Sequence, residues 1–323
     1  MSDEETVEFL ATVPLLEGLE DAYLAELARS VRRRTVREGQ LLWRQGDRAR
    51  EMLFVVAGGV SVSQHLPGDR TVEMAEVGPG DTLGEIALLD GGGNTMSVRV
   101  TEEATLLALD RVDFAALLAR QHPAAFTLKR RLAALTAARL RVLVRRLALS
   151  LGDEPPGGAA GAAEAFADLE TCGPPDSKYV RRMATFHEFD PLALWGFLTA
   201  GTYVRCPAGR TLIVEGAPSE ACYLTINGAV EKVLVRGDCR IRVALAGPGT
   251  AFGYEDLIDG GGSPFGAISR ERALLLVLPR DQFDRLFNGE GAGSRVFLDV
   301  IQRDLVTSLR QTLRPHARLA ASV

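Results

Sequence analysis

Residues 83–98 read LGEIALLDGGGNTMSV and residues 252–267 read FGYEDLIDGGGSPFGA, so a DGGG turn recurs at an offset of 169 residues, from position 98 to position 267. The same offset relates Gly59 to Gly228, Gly84 to Gly253, Leu109 to Leu278 and the GPG of 78–80 to that of 247–249. Upstream the offset becomes 170, relating Gly39 to Gly209 and Gly46 to Gly216, as if one residue were lost between those glycines and the next strand. A register held over this distance indicates an internal duplication.

Each copy carries the pattern of a β structure. Residues 51–64 (EMLFVVAGGVSVSQ) and 221–235 (ACYLTINGAVEKVLV) mix β-branched and aromatic residues around a central glycine, which is typical of a bulge or tight corner. Gly68-Asp69 and Gly237-Asp238 lie between strand-like runs and predict hairpin turns. Many short strands separated by glycines favour a closed or sandwich-like β structure.

Helical patterns flank each copy. Asp110 is placed to cap a short helix, and Pro123 opens a long one. The apolar stripe predicted for the long helix consists of Leu128, Leu132, Leu135, Val142 and Leu143. A similar helix is predicted to begin at Ser294 in the second copy.

The stretch between the copies is rich in proline, glycine and alanine, which is typical of a flexible linker. We therefore expect a first domain over 1–150, a linker over 151–177 and a second domain over 178–323. The expected fold class is α+β with mainly β character. It consists of two jelly-roll-like β-rolls, each flanked by helices, with the long helix and the linker between them.

The bulk composition argues against several classes of protein. With 46% hydrophobic and 24% charged residues and a net charge of −5, the chain lacks the basic excess of a general polyanion binder. The acidic start, MSDEETVEFL, argues against a secretory signal, and no run approaches the roughly 20 apolar residues that span a bilayer. We expect a cytoplasmic protein without a membrane span.

The chain also lacks the usual signatures of catalysis and metal binding. Its four cysteines, at positions 172, 206, 222 and 239, form no CxxC and have no histidine at ligand spacing, so reduced thiols are favoured over a redox or zinc site. GxSxG, P-loop and HExxH patterns are missing from the sequence. We predict no catalytic residues, no bound metal and no enzymatic activity.

The segment 83–98 resembles the phosphate-binding cassette of cyclic-nucleotide-binding domains. These modules occur in protein kinase A regulatory subunits, catabolite-activator-type transcription factors and cyclic-nucleotide-gated channels. The glycines before the segment fit the β-roll of that family, and the trailing helices fit its lid. The resemblance covers nearly all of both copies and implies two cyclic-nucleotide-binding-type β-rolls. We call residues 83–98 the first cassette and residues 252–267 the second cassette.

In the first cassette the resemblance implies a phosphate site at a short helix that begins at Gly84. Glu85 takes the place of the carboxylate that accepts the ribose hydroxyl, whereas Asn94 replaces the arginine that normally neutralises the phosphate. Losing that contact should cost ~1.5–3 kcal/mol, or about one to two decades in affinity. The candidate ligand-binding residues are Gly84, Glu85, Ile86, Ala87, Asn94, Thr95 and Ser97. The ligand implied is cyclic AMP, cyclic GMP or another small molecule, bound with weakened or altered specificity.

The second cassette departs further from the family pattern. Tyr254 replaces the glutamate and Ser263 replaces the arginine, although Glu255 lies one residue away. Asp256 would place another negative charge near any phosphate. The equivalent candidates are Gly253, Tyr254, Glu255 and Ser263. We expect this copy to be degenerate, structural or adapted to a different, uncharged or non-phosphate ligand.

Two further features have alternative interpretations. The DGGG runs are either surface turns or nests of backbone N–H groups that bind some other ligand. The long helix after the first copy is basic, which is typical of the solvated face of a lid or dimer helix; a nucleic-acid or anionic-membrane surface is the alternative. Its basic residues are Lys129, Arg130, Arg131, Arg139, Arg141, Arg145 and Arg146.

These patterns favour a regulator without catalytic output. Ligand in the first copy would be sensed at Glu85 and transmitted to a protein partner by movement of the helix from Pro123 to Leu149. The alternative is an interaction scaffold whose rolls have lost ligand binding, with the long helices mediating assembly, for example as a homodimer. A DNA-binding regulator is disfavoured because residues 280–323 are too few for a winged helix-turn-helix.

Overall fold

The computed structural model describes residues 2–66, 68, 70–152, 169–187, 189–237 and 239–321, without the side chains of 87, 239 and 314–321. The chain divides into two compact units, built mainly from residues 1–135 and 136–319. The boundary between these units falls inside one long helix.

The first unit contains a β-roll preceded and followed by helices. Its elements are α1 (Asp3–Thr12), a 3₁₀ turn (Pro14–Leu16), α2 (Asp21–Ser30), β1 (Val31–Val36), β2 (Leu41–Trp43), β3 (Glu51–Leu66), β4 (Arg70–Val77), β5 (Thr82–Leu83), α3 (Glu85–Leu89), β6 (Ser97–Asp110), α4 (Arg111–Ala119) and the start of α5 (Pro123–Ser150). The strands pair antiparallel in the order β1-β6-β3-β4, with β2 on β6 and β5 on β3. We call this sheet the first roll.

Among its described residues, the first unit contains two hydrophobic cores. Inward-facing residues of the strands, including Val55, Val62 and Leu106, fill the roll. A second core joins the helices to the outer face of the roll, and it contains Leu88 of α3 together with Leu128 and Leu132 of α5. The short cassette helix therefore shares its packing with the long helix that follows the roll.

The second unit repeats this plan. Its elements are the rest of α5, β7 (Glu170–Cys172), α6 (Ser177–Arg181), α7 (Pro191–Leu198), β8 (Thr202–Cys206), β9 (Thr211–Ile213), β10 (Ala221–Asn227), β11 (Val230–Arg236), β12 (Cys239–Ala246), β13 (Ala251–Phe252), α8 (Glu255–Asp259), β14 (Gly266–Ser269), β15 (Ala273–Pro279), α9 (Arg280–Asn288) and α10 (Ala292–Ala321). Its strands form two antiparallel sheets, β13-β10-β15-β8-β7 and β12-β11-β14-β9, which we call the second roll.

Both rolls contain the predicted glycine corner. The glycine that forms it in the first roll, however, is not the one that the sequence alignment paired with Gly228. Gly58 has φ +79°, and a Cβ there would stand 2.2 Å from the carbonyl oxygen of Glu103. Gly228 has φ +83°, and its Cβ would stand 2.5 Å from the carbonyl oxygen of Arg272. Gly228 therefore matches Gly58, and the predicted match to Gly59 is wrong.

The residue lost from the second copy belongs to the hairpin turn, not to the segment before the strand. Leu66 pairs with Arg70 in the first roll, with three residues between them, whereas Arg236 pairs with Cys239 in the second, with two. These pairings confirm both predicted hairpins, although Asp69 and Asp238 lie outside the described residues. A turn tolerates such a deletion because its backbone is not part of the strand ladder.

The helix predictions are largely confirmed. The Asp110 carboxylate accepts a hydrogen bond from the Val112 N–H at 2.7 Å, and α5 begins at Pro123. The second long helix begins at Ala292, two residues before Ser294. The prediction that Val142 belongs to the apolar stripe of the long helix is wrong. Val142 is 53% exposed, because it lies two residues from both Leu140 and Val144, on the opposite face of the helix.

Part of the predicted linker can be described. Residues 153–168 lie outside the described residues. Glu170–Cys172 form β7, which pairs antiparallel with β8. Asp176 then caps α6, its carboxylate accepting a hydrogen bond from the Lys178 N–H at 2.8 Å.

Candidate functional site

The first cassette places a buried carboxylate at the start of a short helix. Gly84 precedes α3 with φ +76°, and a Cβ there would stand 2.5 Å from the carbonyl oxygen of Glu51, so no side chain fits. Glu85 follows and is only 2% exposed. The Thr82 hydroxyl donates to its Oε1 at 2.6 Å. The cassette thus presents a carboxylate held by a neighbouring hydroxyl beside the first N–H groups of a helix.

The remaining first-cassette candidates lie in the helix and in the chain that returns to β6. Ile86 and Ala87 belong to the first turn of α3; the side chain of Ala87 is outside the description. The Ser97 hydroxyl accepts a hydrogen bond from the Gln45 N–H at 3.0 Å. Asn94 is anchored through its backbone: its N–H donates to the Asp47 carbonyl at 2.7 Å, and its carbonyl accepts from the Gly46 N–H at 2.8 Å. Their role in ligand binding remains a prediction.

The DGGG turns use backbone N–H groups internally. In the first cassette the Asp90 carboxylate accepts from the Gly92 N–H at 2.9 Å. In the second, Asp259 accepts from the Gly261 N–H at 3.2 Å, and Asp256 accepts from the Gly262 N–H at 2.6 Å. These N–H groups are already bonded, which favours the turn interpretation over a nest for an added anion.

An arginine that the sequence analysis did not single out packs against the first DGGG turn. A Cβ on Gly91 would stand 2.4 Å from the Arg111 Cζ, so the guanidinium lies directly on the turn. The repeat equivalent, Arg280, instead donates to Ser219 and to the Asp256 carboxylate of the second cassette, at 3.1 and 3.3 Å. The two equivalent arginines therefore contact their cassettes in different ways, Arg111 by packing and Arg280 by hydrogen bonds.

Arg141 forms four hydrogen bonds to the second DGGG turn. Its Nη2 and Nε donate to the Asp259 carboxylate at 2.5 and 2.8 Å, and its Nη1 donates to the carbonyls of Gly261 and Gly262 at 3.0 and 2.6 Å. The prediction that the basic residues of α5 form a solvated face is therefore wrong for Arg141. It is also wrong for Lys129, which is buried, and for Arg131, which donates to the Leu15 carbonyl at 3.0 Å.

The second cassette contains a buried charged cluster in place of an open site. The ammonium of Lys232, on β11, lies 2.5 Å from Asp304 Oδ2, 3.0 Å from the Ser308 hydroxyl and 3.5 Å from Glu255 Oε1. The Tyr254 hydroxyl donates to the same Asp304 oxygen. All five residues are buried, and we call them the Lys232 cluster.

The electrostatics of this cluster follow from burial and from the mutual proximity of its charges. Burial alone would lower the pKa of Lys232, but the carboxylates of Asp304 and Glu255 outweigh it and raise that pKa. Burial raises the pKa of Glu255 despite the attraction of Lys232. Its Oε2 is buried without a hydrogen-bond partner among the described residues. Burial also raises the pKa of Tyr254 well above its usual value. The carboxylates of the cluster thus favour the protonated form of Lys232, whereas burial favours the protonated form of Glu255.

The other second-cassette candidates are engaged within the fold. Gly253 has φ +80°, and its Cβ would stand 2.7 Å from Ile213 Cδ1. The Ser263 hydroxyl donates to the Phe265 carbonyl at 2.7 Å. Tyr254 and Glu255, as described, belong to the Lys232 cluster. A role of these four residues in ligand binding remains a prediction.

The described residues contain neither a candidate metal site nor a helix that could span a membrane. Within them, no group of three or more histidine, cysteine, aspartate or glutamate side chains is arranged to hold a metal ion. Likewise, none of the helices in that part of the chain has the length and apolarity needed to cross a membrane.

Fold and cassettes together define a β-roll module that occurs twice in one chain. The family model of the cyclic nucleotide-binding domain matches residues 33–121 and 203–290, which together make up more than half of the chain. The chain therefore belongs to the cyclic nucleotide-binding domain family and carries two such domains in tandem.

Several known proteins are similar to parts of the chain. It is 37% identical over 107 residues to a cyclic nucleotide-gated potassium channel of Mesorhizobium japonicum, covering 33% of this chain and 28% of the channel. It is 34% identical over 128 residues to the cyclic AMP receptor protein of Thermus thermophilus, covering 40% of this chain and 57% of the receptor. In both cases the chain spans less than two thirds of the relative's length. Among solved structures, the regulatory domain of Toxoplasma gondii PKA with cAMP aligns over 91% of this chain and 94% of that chain, at 18% identity and a TM-score of 0.34.

Proposed function

We propose that the protein is a non-enzymatic regulator whose first roll senses a cyclic nucleotide, or a related small ligand, and signals to a protein partner through its helices. The observation that carries this proposal is the first cassette. Glu85 is buried, is held by Thr82 and follows Gly84 at the start of α3, where the family accepts the ribose hydroxyl. The relatives' names, a cyclic nucleotide-gated channel and a cyclic AMP receptor, support the same class of ligand.

The specificity of the first roll is proposed to be weakened or altered. Asn94 stands where the family places its phosphate-binding arginine, and it is fixed there by the backbone bonds to Asp47 and Gly46. An arginine at this position would add a charge-assisted contact. The binding free energy that is missing corresponds to about one to two decades of affinity.

The signal is proposed to travel through α5. Leu88 of the cassette helix shares a hydrophobic core with Leu128 and Leu132 of α5, so a shift of α3 on ligand binding changes the packing of that helix. Farther along α5, Val142 and Leu149 are 53% and 57% exposed and lie two helical turns apart. This exposed apolar pair supports a protein partner on α5.

Isothermal titration of the full chain with cyclic AMP and cyclic GMP tests the proposal. We expect weak binding by the natural chain, binding about one to two decades tighter for Asn94→Arg, and none for Glu85→Ala. Asn288→Arg, the same substitution at an exposed residue at the end of α9, is the matched control and should leave nucleotide binding unchanged.

Two results would contradict the proposal in different ways. Nanomolar binding by the natural chain would show that position 94 does not limit affinity. Absence of binding by both the natural chain and Asn94→Arg would overturn ligand sensing and favour the scaffold interpretation.

A further inference from the structure

The interior of the second roll has a lysine where the first roll has a valine. Lys232 takes the ladder position of Val62, because each pairs with the corresponding residues of the two neighbouring strands. Val62 is part of the apolar core of its roll, whereas Lys232 is completely buried as a cation. A buried ammonium is strongly unfavourable unless an anion and hydrogen-bond acceptors surround it. The structure must therefore supply a counter-anion at this point.

The counter-anion comes from the trailing helix of the same unit. Asp304 lies on α10 and places one carboxylate oxygen 2.5 Å from the Lys232 ammonium. The same oxygen accepts the Tyr254 hydroxyl of the second cassette. The lysine also lies 5.4 and 5.2 Å from the ring centroids of Tyr254 and Phe265, so aromatic faces complete its surroundings. One side chain of α10 is thus bonded to both the roll and the cassette.

The first roll has none of these groups at the equivalent positions. Tyr254 corresponds to Glu85, and Lys232 corresponds to Val62. At the offset that relates the starts of α5 and α10, Asp304 corresponds to Leu135. All three positions differ together, and in the second roll they form one hydrogen-bonded set. Random substitution after a loss of ligand binding would not bring a lysine, an aspartate and a tyrosine into one hydrogen-bonded set.

We propose that Asp304 is a built-in anionic ligand of the second roll, which holds α10 closed on the second cassette without any nucleotide. The Asp304 carboxylate neutralises the buried Lys232 ammonium, as an oxyanion of a bound ligand would. Tyr254 lies at the position that Glu85 has in the first roll. The second roll is therefore closed at all times and takes no cyclic nucleotide. This inference concerns the second roll alone and holds whether or not the first roll binds ligand.

Hydrogen–deuterium exchange of the full chain, followed by mass spectrometry, tests this proposal. In the natural chain we expect the second cassette and residues 292–313 to be protected, and millimolar cyclic AMP or cyclic GMP to leave them unchanged. In Asp304→Ala both segments should exchange about tenfold faster or more, since α10 loses its bond to roll and cassette. Asp284→Ala, which removes an exposed carboxylate from α9, is the matched control.

Chemical rescue distinguishes an anionic ligand from a merely structural side chain. Acetate should fill the space left in Asp304→Ala beside Lys232 and restore protection of residues 292–313, whereas chloride at equal ionic strength should not. The natural chain should not respond to acetate. If Asp304→Ala does not fold, Asp304→Asn keeps the side-chain volume, removes the charge and should still increase exchange.

Three outcomes overturn the proposal: equal exchange of 292–313 in the Asp304 variants and the natural chain, no response of Asp304→Ala to acetate, or a nucleotide-induced change in the natural second cassette. Exchange of the first cassette is read in the same experiment. A failure of nucleotide sensing in the first roll is therefore recorded separately from a failure of this proposal.

Discussion

Replacing Lys232 with methionine removes one cation from a fully buried cluster and keeps nearly the same side-chain length. The Asp304 carboxylate would still accept hydrogen bonds from the Tyr254 hydroxyl and, at 3.5 Å, from the Ser308 hydroxyl. It would lose its only cationic partner in the cluster. Removing one member of a buried ion pair costs ~3–5 kcal/mol. We expect Lys232→Met to lower the free energy of unfolding of the second unit by about this amount.

Urea unfolding measures this loss in the second unit alone. The chain has two tryptophans, Trp43 in the first unit and Trp195 in the second. In a Trp43→Phe background, fluorescence therefore reports only the second unit. With a urea dependence of about 1–3 kcal/mol per molar, the midpoint should fall by roughly 2 M.

A double variant separates loss of charge balance from loss of packing. Lys232→Met combined with Asp304→Leu replaces the ion pair by apolar side chains, which is often neutral for stability, so most of the lost stability should return. Lys178→Met, at an exposed lysine of α6, is the surface control. The reasoning is refuted if Lys232→Met unfolds at the same urea concentration as Lys178→Met, or if the double variant is as unstable as the single one.

Three other perturbations follow from the geometry. Arg141→Lys loses the fork that holds Asp259, so the amides of 259–262 should exchange about tenfold faster in hydrogen exchange, and unchanged rates would show that the four contacts contribute nothing. Gly58→Ala puts a Cβ 2.2 Å from a carbonyl oxygen and should cost the first unit more than ~2 kcal/mol of unfolding free energy, measured by urea unfolding through Trp43 in a Trp195→Phe background. Gly39→Ala, at φ +77° but in open space, should cost only ~1 kcal/mol, and equal costs for the two variants would contradict this. Because burial raises the pKa of Glu255 in the folded chain, its contribution to stability is complete below its ordinary pKa of 4.5 and is lost as the pH rises through the raised value. Glu255→Gln should therefore flatten the decline of the second unit's melting temperature above pH 4.5, and an unchanged decline would assign it to other groups.

The fold was predictable because its turn glycines recur at equivalent positions of the two copies. Gly84 and Gly253 each precede a short helix with positive φ and close backbone contacts, and both were identified from the repeat. The corner glycine was misassigned because Gly58 and Gly59 are adjacent, and letters alone do not show which of them has positive φ. Only the close approach of the Glu103 carbonyl decides for Gly58.

The candidate site was only partly predictable. Glu85 follows directly from the first cassette, whereas the Lys232 cluster joins residues 72 positions apart on a strand and a helix. A signal was nevertheless present: strand alternation puts Lys232 on the same face as Val230 and Leu234, both fully buried. Asp304 similarly follows the helical spacing of the apolar stripe of α10. What the sequence did not show is that these two inward-facing charges meet.

The hairpin deletion has a consequence for how the two rolls are related. From the glycine corner to the last strand of each roll, the copies differ in length by the one residue lost in a turn, so every interior position of one roll has a counterpart in the other. Divergence of the two interiors has therefore proceeded by exchanging side chains on a shared frame. Lys232→Val, Tyr254→Glu and Asp304→Leu would give the second unit the residues that the first unit carries at these three equivalent positions. The duplication thus leaves a second β-roll whose interior side chains can be exchanged while its backbone stays the same.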